Sequence, residues 1–294
     1  MSDKPLVTIG LPVYNSETYL SQSIESLLAQ TYSDYVLIIS DNASTDGTAD
    51  ICHSFAKQDS RIRYYRNDEN IGNPRNFNRI AELTETRYLK WSTSDDYCDP
   101  TFVEKALSVM EQDPSIILCY PKTTLIDGDG DNPRPYEDNL HLMQDDPSER
   151  FREYSLRSGL AHQHLGLIRV SLLKQTHLLR THVASDYNFH AEMALHGKFY
   201  ELPERLFYRR FHPTSGSWKR GDSNHQAKYY LATKQKRQSF KNWRAHHADF
   251  ASVLSAPIPV SKKLNLLGWL SKRFVRQSRR LLLEVVDFGR SINA

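Results

Sequence analysis

The chain has 294 residues, 39% hydrophobic and 25% charged, which suits a globular protein able to build a proper core as one large or two small domains. Its 38 basic and 35 acidic residues leave a net charge of +3, too balanced for general nucleic-acid binding, so no nucleic-acid partner is expected. Three cysteines, Cys52, Cys98 and Cys119, have no CxxC spacing; this excludes a disulfide framework or zinc site and reads as buried thiols in a reducing compartment.

The opening Met1-Ser2-Asp3-Lys4-Pro5 lacks a signal-peptide layout, and no apolar run reaches the roughly 18 to 20 residues of a membrane helix, so the cytoplasm is the expected location. Residues 6–13 read as a strand, and residues 17–30 as a helix with Leu20, Ile24, Leu27 and Leu28 on one face. The apolar run 35–39 is a strand buried on both faces. Ser44-Thr45-Asp46-Gly47 turns the chain, with Asp46 as a cap, into a helix carrying Ile51, Cys52 and Phe55. Residues 62–65 form a third strand, Phe77, Ile80 and Ala81 mark a third helix, and residues 88–91 form a fourth strand. Asp99-Pro100 reads as a helix N-cap with proline at the first helical position, ahead of Phe102, Ala106, Val109 and Met110. Residues 116–120 are a fifth strand. This alternation predicts an open α/β sheet with helices on both faces.

Residues 127–150 are turn-rich and acidic. Asp127, Asp129 and Asp131 lack the closing glutamate of a calcium loop and read as a solvated hairpin or loop. Regular patterning returns over 151–212, and beyond Ala227 the chain reads as helical and basic. The expected division is a catalytic domain over 1–222 and a helical C-terminal extension over 223–294.

In such sheets ligands bind beyond the carboxyl ends of the strands. Three strand ends carry polar clusters: residues 12–17, 40–48 and 92–96. With parallel strands they line one crevice with carboxylates and small hydrogen-bonding groups. The runs TIGLPVYNSETYL, DNASTDGT, NDENIGNPRNFN and WSTSDD follow one another in the chain. The series resembles the family 2 glycosyltransferases of the GT-A fold, from about residue 6 through 216.

The resemblance implies a Rossmann-like GT-A sheet and an inverting transfer of sugar from a nucleotide-sugar donor, most often a UDP-sugar, to an acceptor hydroxyl. It puts Asp41 at the nucleobase, with Asn15 and Glu17 nearby on the nucleotide, and Pro12, Tyr14 and Asn42 in the same donor-binding loops. Asn70, Gly72, Asn76 and Arg79 belong to the family's NxGxxxxxN stretch; the glycine provides a turn that lets backbone approach the donor. Arg75 or Arg79 pairs with phosphate or is a solvated helix-face cation. Asp95-Asp96 resembles the DxD-type motif: Asp96 is implied as the ligand of Mg2+ or Mn2+, which neutralises the departing pyrophosphate, and Asp95 supports the ribose or sugar. Ser94 stands where many relatives carry another acid. Asp186, in Ala184-Ser185-Asp186-Tyr187, matches the catalytic aspartate that takes the acceptor's proton, and is compatible with an N-cap as well. His212, after Phe207-Tyr208-Arg209-Arg210-Phe211, is implied near the metal or pyrophosphate, and residues 215–221 read as a loop closing over it. His162 and His164 align where relatives begin acceptor recognition; two apart, on a strand they share a face, and structural and acceptor-binding roles both stay open.

Residues 262–290 carry eight basic and two acidic side chains interleaved with leucine, valine, tryptophan and phenylalanine. Such a helix either packs on the core with a solvated basic face or lies peripherally on the inner, anionic membrane face, where a lipid-linked saccharide or other glycan would be the acceptor. The other functions weighed are a non-catalytic nucleotide-sugar-binding relative, against which Asp41, Asp95, Asp96 and Asp186 all stand, and a sugar-nucleotide pyrophosphorylase, whose glycine-rich basic phosphate loop Pro12-Val13-Tyr14-Asn15 does not match. The expected role is the building of a surface glycan.

Overall fold

The computed structural model describes residues 5–213, 215, 230 and 239–292. In chain order it contains β1 (Val7–Val13), α1 (Leu20–Leu28), β2 (Tyr35–Asp41), α2 (Thr48–Gln58), β3 (Ile62–Arg66), α3 (Asn73–Leu83), β4 (Tyr88–Trp91), β5 (Tyr97–Cys98) and α4 (Phe102–Gln112). Then come β6 (Ile116–Ile126), β7 (Arg134–Tyr136), α5 (Pro147–Arg157), a 3-10 turn (Gln163–Leu165), β8 (Leu167–Arg169), α6 (Val170–Leu173), α7 (Ser185–His196) and β9 (Lys198–Arg210). Three helices follow: α8 (Lys241–Ser255), α9 (Val260–Arg276) and α10 (Ser278–Ile292).

The strands make one mixed sheet in the order β3-β2-β1-β4-β8-β6-β9-β5, with β7 paired to β6. Every residue of β1 and β2 is buried, the signature of strands covered on both faces. The strands β1 to β4 run parallel. The short β8 is antiparallel to both β4 and β6, and β9 runs parallel to β6. So β1, β2, β4, β6 and β9 all end on one edge, and the expected shared crevice follows even though the sheet is not wholly parallel. A Cβ on Gly10 would lie 2.3 Å from Ile80 Cγ2; glycine here lets α3 press onto β1.

Two expected helix starts shift. Asp99 Oδ1 accepts from Thr101 N and Oγ1, closing a turn, so α4 begins at Phe102 with Thr101 rather than Asp99 as its N-cap. Ala184, in the left-handed region at φ 62°, precedes α7, which makes Asp186 a first-turn residue and not the N-cap. Asp127 Oδ1 accepts from Asp129 N and Asp131 N, folding the acidic run into the turn before β7. The three cysteines are free and buried.

The C-terminal helices are tied to the sheet domain. Val253, Ala256, Leu266 and Leu270 belong to the main hydrophobic core, and Asn188 Nδ2 on α7 donates to Ala245 O and Asp249 Oδ1 on α8. In α10 the pattern changes: Leu281 is buried while Leu282, Leu283, Val285, Val286 and Phe288 are exposed. No helix among the described residues is long and apolar enough to cross a membrane.

Candidate active site

Two cavities of about 470 and 310 Å³ open at the carboxyl edge of the sheet. They share the residues Asn73, Phe77, Thr93, Asp95 and Ser215 on their walls. The larger is lined by the loops after β1 and β2 and the start of α3, the smaller by the segment 160–165, the start of α7 and the end of β9.

The larger cavity is walled by Pro12, Tyr14, Asn15, Asn42, Asn70, Gly72, Asn76, Asp95 and His212, so nine of the expected donor and metal residues are brought together. Asparagines fix its shape. Asn15, in the left-handed region at φ 48°, donates its N–H to Ser44 Oγ and accepts from Thr45 N at 2.8 Å, bolting the β1 loop to the β2 loop. Asn42 Oδ1 accepts from Ile71 N and Asn67 Nδ2, and its amide donates to Asn70 Oδ1. Asn76 Nδ2 donates to Ser40 O at 2.8 Å. Gly72 has φ 87°, a conformation suited to glycine, and starts α3 beside the cavity.

Three expected donor residues do not line either cavity. Asp41 is wholly buried: Oδ1 accepts from Ser44 N and Oγ, and Oδ2 from Tyr64 Oη at 2.6 Å and Arg66 Nη1 at 2.5 Å. Glu17 reaches across to accept from Gly47 N at 2.8 Å. Arg79 donates to Asn67 Oδ1. Each braces the loops: Asp41 and Arg79 meet the buried polar groups of Ser44 and Asn67, which need partners, while the Glu17 contact is exposed.

At the shared lip the two adjacent aspartates have different surroundings. Asp96 is buried, with Oδ1 accepting from Arg210 N at 2.7 Å and Oδ2 from Thr93 Oγ1 at 2.5 Å. Burial, then the charge of Asp95, pushes its carboxyl up to about 7, against the pull of Arg209 and the two hydrogen bonds. Asp95 is more open; its Oδ2 lies 2.9 Å from His212 Nε2, and the His212 ring packs on Tyr19 at 4.9 Å. Arg210, to which no sequence motif assigns a role, is the clamp of this lip: Nε donates to Asp95 O, Nη1 to Gly128 O and Nη2 to Gln22 Oε1. The signal was present as paired arginines at the end of a strand, just before His212.

The smaller cavity holds Asp186, His162, His164 and Arg209 together. Asp186 accepts from Tyr187 N at 3.2 Å and Tyr230 Oη at 3.3 Å. Burial raises its carboxyl to about 6, while those hydrogen bonds and Arg209 pull the other way. A carboxylate poised near neutrality suits a general base. His162 and His164 are not on a strand; they flank the start of the 3-10 turn yet both reach this cavity. His162 is deeply engaged: Nδ1 accepts from Arg209 Nη1 at 2.9 Å, and Nε2 faces Thr123 Oγ1 at 2.8 Å and Asp138 Oδ2 at 3.0 Å. The loop expected over 215–221 lies outside the described residues except for Ser215.

Among the described residues no group of three or more His, Cys, Asp or Glu side chains could hold a metal by itself. The Asp95–His212 pair offers one carboxylate oxygen, the kind of donor Mg2+ and Mn2+ take, beside one imidazole nitrogen, and leaves further oxygens for a ligand to supply.

The sequence profile of glycosyl transferase family 2 matches residues 8–176, more than half of the chain. TuaG of Bacillus subtilis, a glycosyltransferase named for teichuronic acid biosynthesis, is 36% identical over 107 residues, 36% of this chain and 42% of that protein. The chain spans about half the length of the curated relatives it matches. Among solved structures, S. aureus TarS 1-349 in complex with UDP-GlcNAc superposes with a TM-score of 0.67 at 16% identity, covering 96% of this chain and 80% of that one. The mannosyltransferase PcManGT of Pyrobaculum calidifontis, in complex with GDP-Man and Mn2+, superposes with a TM-score of 0.56 at 15% identity, covering 97% and 86%. These two share the fold, in agreement with the GT-A architecture expected from the motifs. By its matched profile and its series of strand-end motifs, the chain belongs to glycosyl transferase family 2.

Proposed function

We propose that this protein transfers a glycosyl group from a UDP-sugar to an acceptor hydroxyl with inversion, in the assembly of a surface glycan. The observation that carries the reading is the meeting of two cavities at Asp95, one walled by the β1 and β2 loops and the other by Asp186. In this reading the nucleoside diphosphate lies in the larger cavity and the acceptor in the smaller. Asp186 accepts the acceptor's proton as its oxygen attacks the anomeric carbon, and the bond to the diphosphate breaks on the opposite face. Asp95 and His212 would hold Mg2+ or Mn2+, and a bound cation would neutralise charge on the departing diphosphate. Asp96 keeps Thr93 and the Arg210 backbone in register and so positions Asp95. The UDP-GlcNAc bound to TarS and the name of TuaG support the donor class and the glycan role.

The domain boundary near residue 222, which lies outside the described residues, and a peripheral membrane contact belong to the same proposal. The exposed Leu282, Leu283, Val285 and Val286, set beside exposed Arg279 and Arg280, support contact with an anionic surface, which a lipid-linked saccharide would require. Purified protein assayed against UDP-, GDP- and dTDP-sugars, with Mn2+, Mg2+ or EDTA, tests the central claim. Metal-dependent release of one nucleotide that Asp186→Asn abolishes is the expected result; nucleotide binding without any turnover across an acceptor panel would overturn it.

A further inference from the structure

His164 and His190 form a contact that fixes where the protons sit. The backbone N–H of His164 donates to His190 Nε2 at 2.8 Å, so that nitrogen carries a lone pair. His190 is wholly buried and therefore bears its proton on Nδ1, which donates to Tyr154 Oη at 2.8 Å; the tyrosine passes its own proton on toward Gln163 Oε1. His164 Nδ1 lies 3.1 Å from the same His190 Nε2. Only an Nδ1–H on His164 makes that contact attractive. His164 Nε2 is thus left as a bare lone pair, and the ring lines the cavity of Asp186.

The ring has little freedom to turn away. Phe77 and Trp91 pack edge-on against it at 5.6 and 6.2 Å. Burial, with His162 and Arg209 nearby, pushes its pKa down to about 3, so it stays neutral through the working range and is no acid or base. His162 has the opposite tautomer, since Arg209 donates to its Nδ1, and both its nitrogens are engaged within the protein. The two histidines that looked equivalent by spacing therefore do different jobs.

We propose that His164 Nε2 is a fixed hydrogen-bond acceptor for a second hydroxyl of the acceptor sugar, beside the one whose proton Asp186 takes. His190 and Tyr154 are positioning residues that hold the tautomer. The proposal rests on the glycosyl-transfer reading and gives it a specificity: the acceptor must offer a diol, with one hydroxyl to react and a neighbour to donate.

The test uses the full chain labelled with 15N-histidine. Long-range 1H–15N spectra are expected to show His164 protonated on Nδ1 and bare on Nε2, unchanged from pH 8 to pH 5, with His162 as the other tautomer. A panel of methyl glycosides is then added with UDP and Mn2+. The glycoside that serves as acceptor in transfer assays should move the Nε2 resonance, and its deoxy analogue at one neighbouring position should not. His164→Phe should raise the KM for that glycoside about tenfold or more, with the donor KM unmoved, and His164→Gln, which offers a carbonyl, should recover part of it. An Nε2-protonated His164, or a panel that leaves Nε2 unmoved, overturns the proposal alone. A donor KM rising in step also overturns it and assigns the nitrogen to the donor sugar. Failure of the wild-type chain to bind any of UDP, GDP or dTDP overturns the transfer reading on which it rests.

Discussion

Replacing Asp186 by asparagine should stabilise the fold at alkaline pH while abolishing transfer. The carboxylate sits in the first turn of α7, where the helix N-terminus favours a negative charge by up to about 1 kcal/mol. Burial outweighs that help, and the folded pKa stands at about 6 against a reference of 3.8. A rise of that size corresponds to roughly 3 kcal/mol of penalty on the charged form; partial exposure of Asp186 screens this to about 1–2 kcal/mol. The sign follows from proton binding. The folded protein holds the proton more tightly than the unfolded chain, so the penalty is absent below the unfolded pKa, grows as pH rises through the folded pKa, and is complete above it. Asparagine keeps an oxygen for Tyr187 N and carries no charge. Thermal melts of wild type and Asp186→Asn at pH 8, 6 and 4 should therefore show a gain of about 2–6 °C at pH 8, shrinking to near zero at pH 4. A gain at pH 4 equal to that at pH 8, or a loss at pH 8, would refute the reasoning.

The same pKa sets the acid limb of activity: kcat/KM for transfer should fall tenfold per pH unit below about pH 6, measured at saturating metal, and stay level above it. Asp95→Ala should remove metal-dependent UDP binding in calorimetry with a stability change under about 1 kcal/mol. Asp96→Ala should cost about 1–3 kcal/mol in urea unfolding, because Thr93 and the buried Arg210 N–H lose their acceptor. Gly10→Ala should destabilise by about 1–3 kcal/mol, since the new methyl meets Ile80 on the buried face of β1; an unchanged urea midpoint would mean that α3 can retreat.

The parallel half of the sheet was legible because its strands are continuous apolar runs between helical periods, and so was the edge on which the site lies. What the sequence did not display was β8, a three-residue strand between β4 and β6, too short for its pattern to stand out. Nor does a motif say which side chain faces a cavity. Asp95 and Asp96 are adjacent, so in the strand-end geometry they diverge; only the position of β9 decides that Asp96 meets the Arg210 N–H and Asp95 meets His212. Likewise the separation of two residues between His162 and His164 implied a shared face only on a strand, and the 3-10 turn voids that inference. Arg210 connects Asp95, Gly128 and Gln22, three places far apart in sequence, which no local pattern encodes.

Asp41 separates two accounts of the larger cavity. The family resemblance implies that it meets the nucleobase, yet here both oxygens are occupied by Ser44, Tyr64 and Arg66. For a base N–H to reach Oδ2, one of its two donors must yield. Arg66 is the candidate, being 44% exposed at the side chain, where the attraction to a carboxylate is weakened by water; Tyr64 is half-buried and carries no charge. Arg66→Met keeps the length of the side chain and removes its claim on Oδ2. If Asp41 reads the base, this variant should bind UDP as tightly as wild type or severalfold tighter in calorimetry, because a competitor has gone. If Asp41 is only a brace, the loop of Ser44 loses the guanidinium that also donates to its carbonyl at 2.8 Å, and UDP affinity should fall. The sign of the change decides, and a fall would remove Asp41 from the nucleotide-contacting residues.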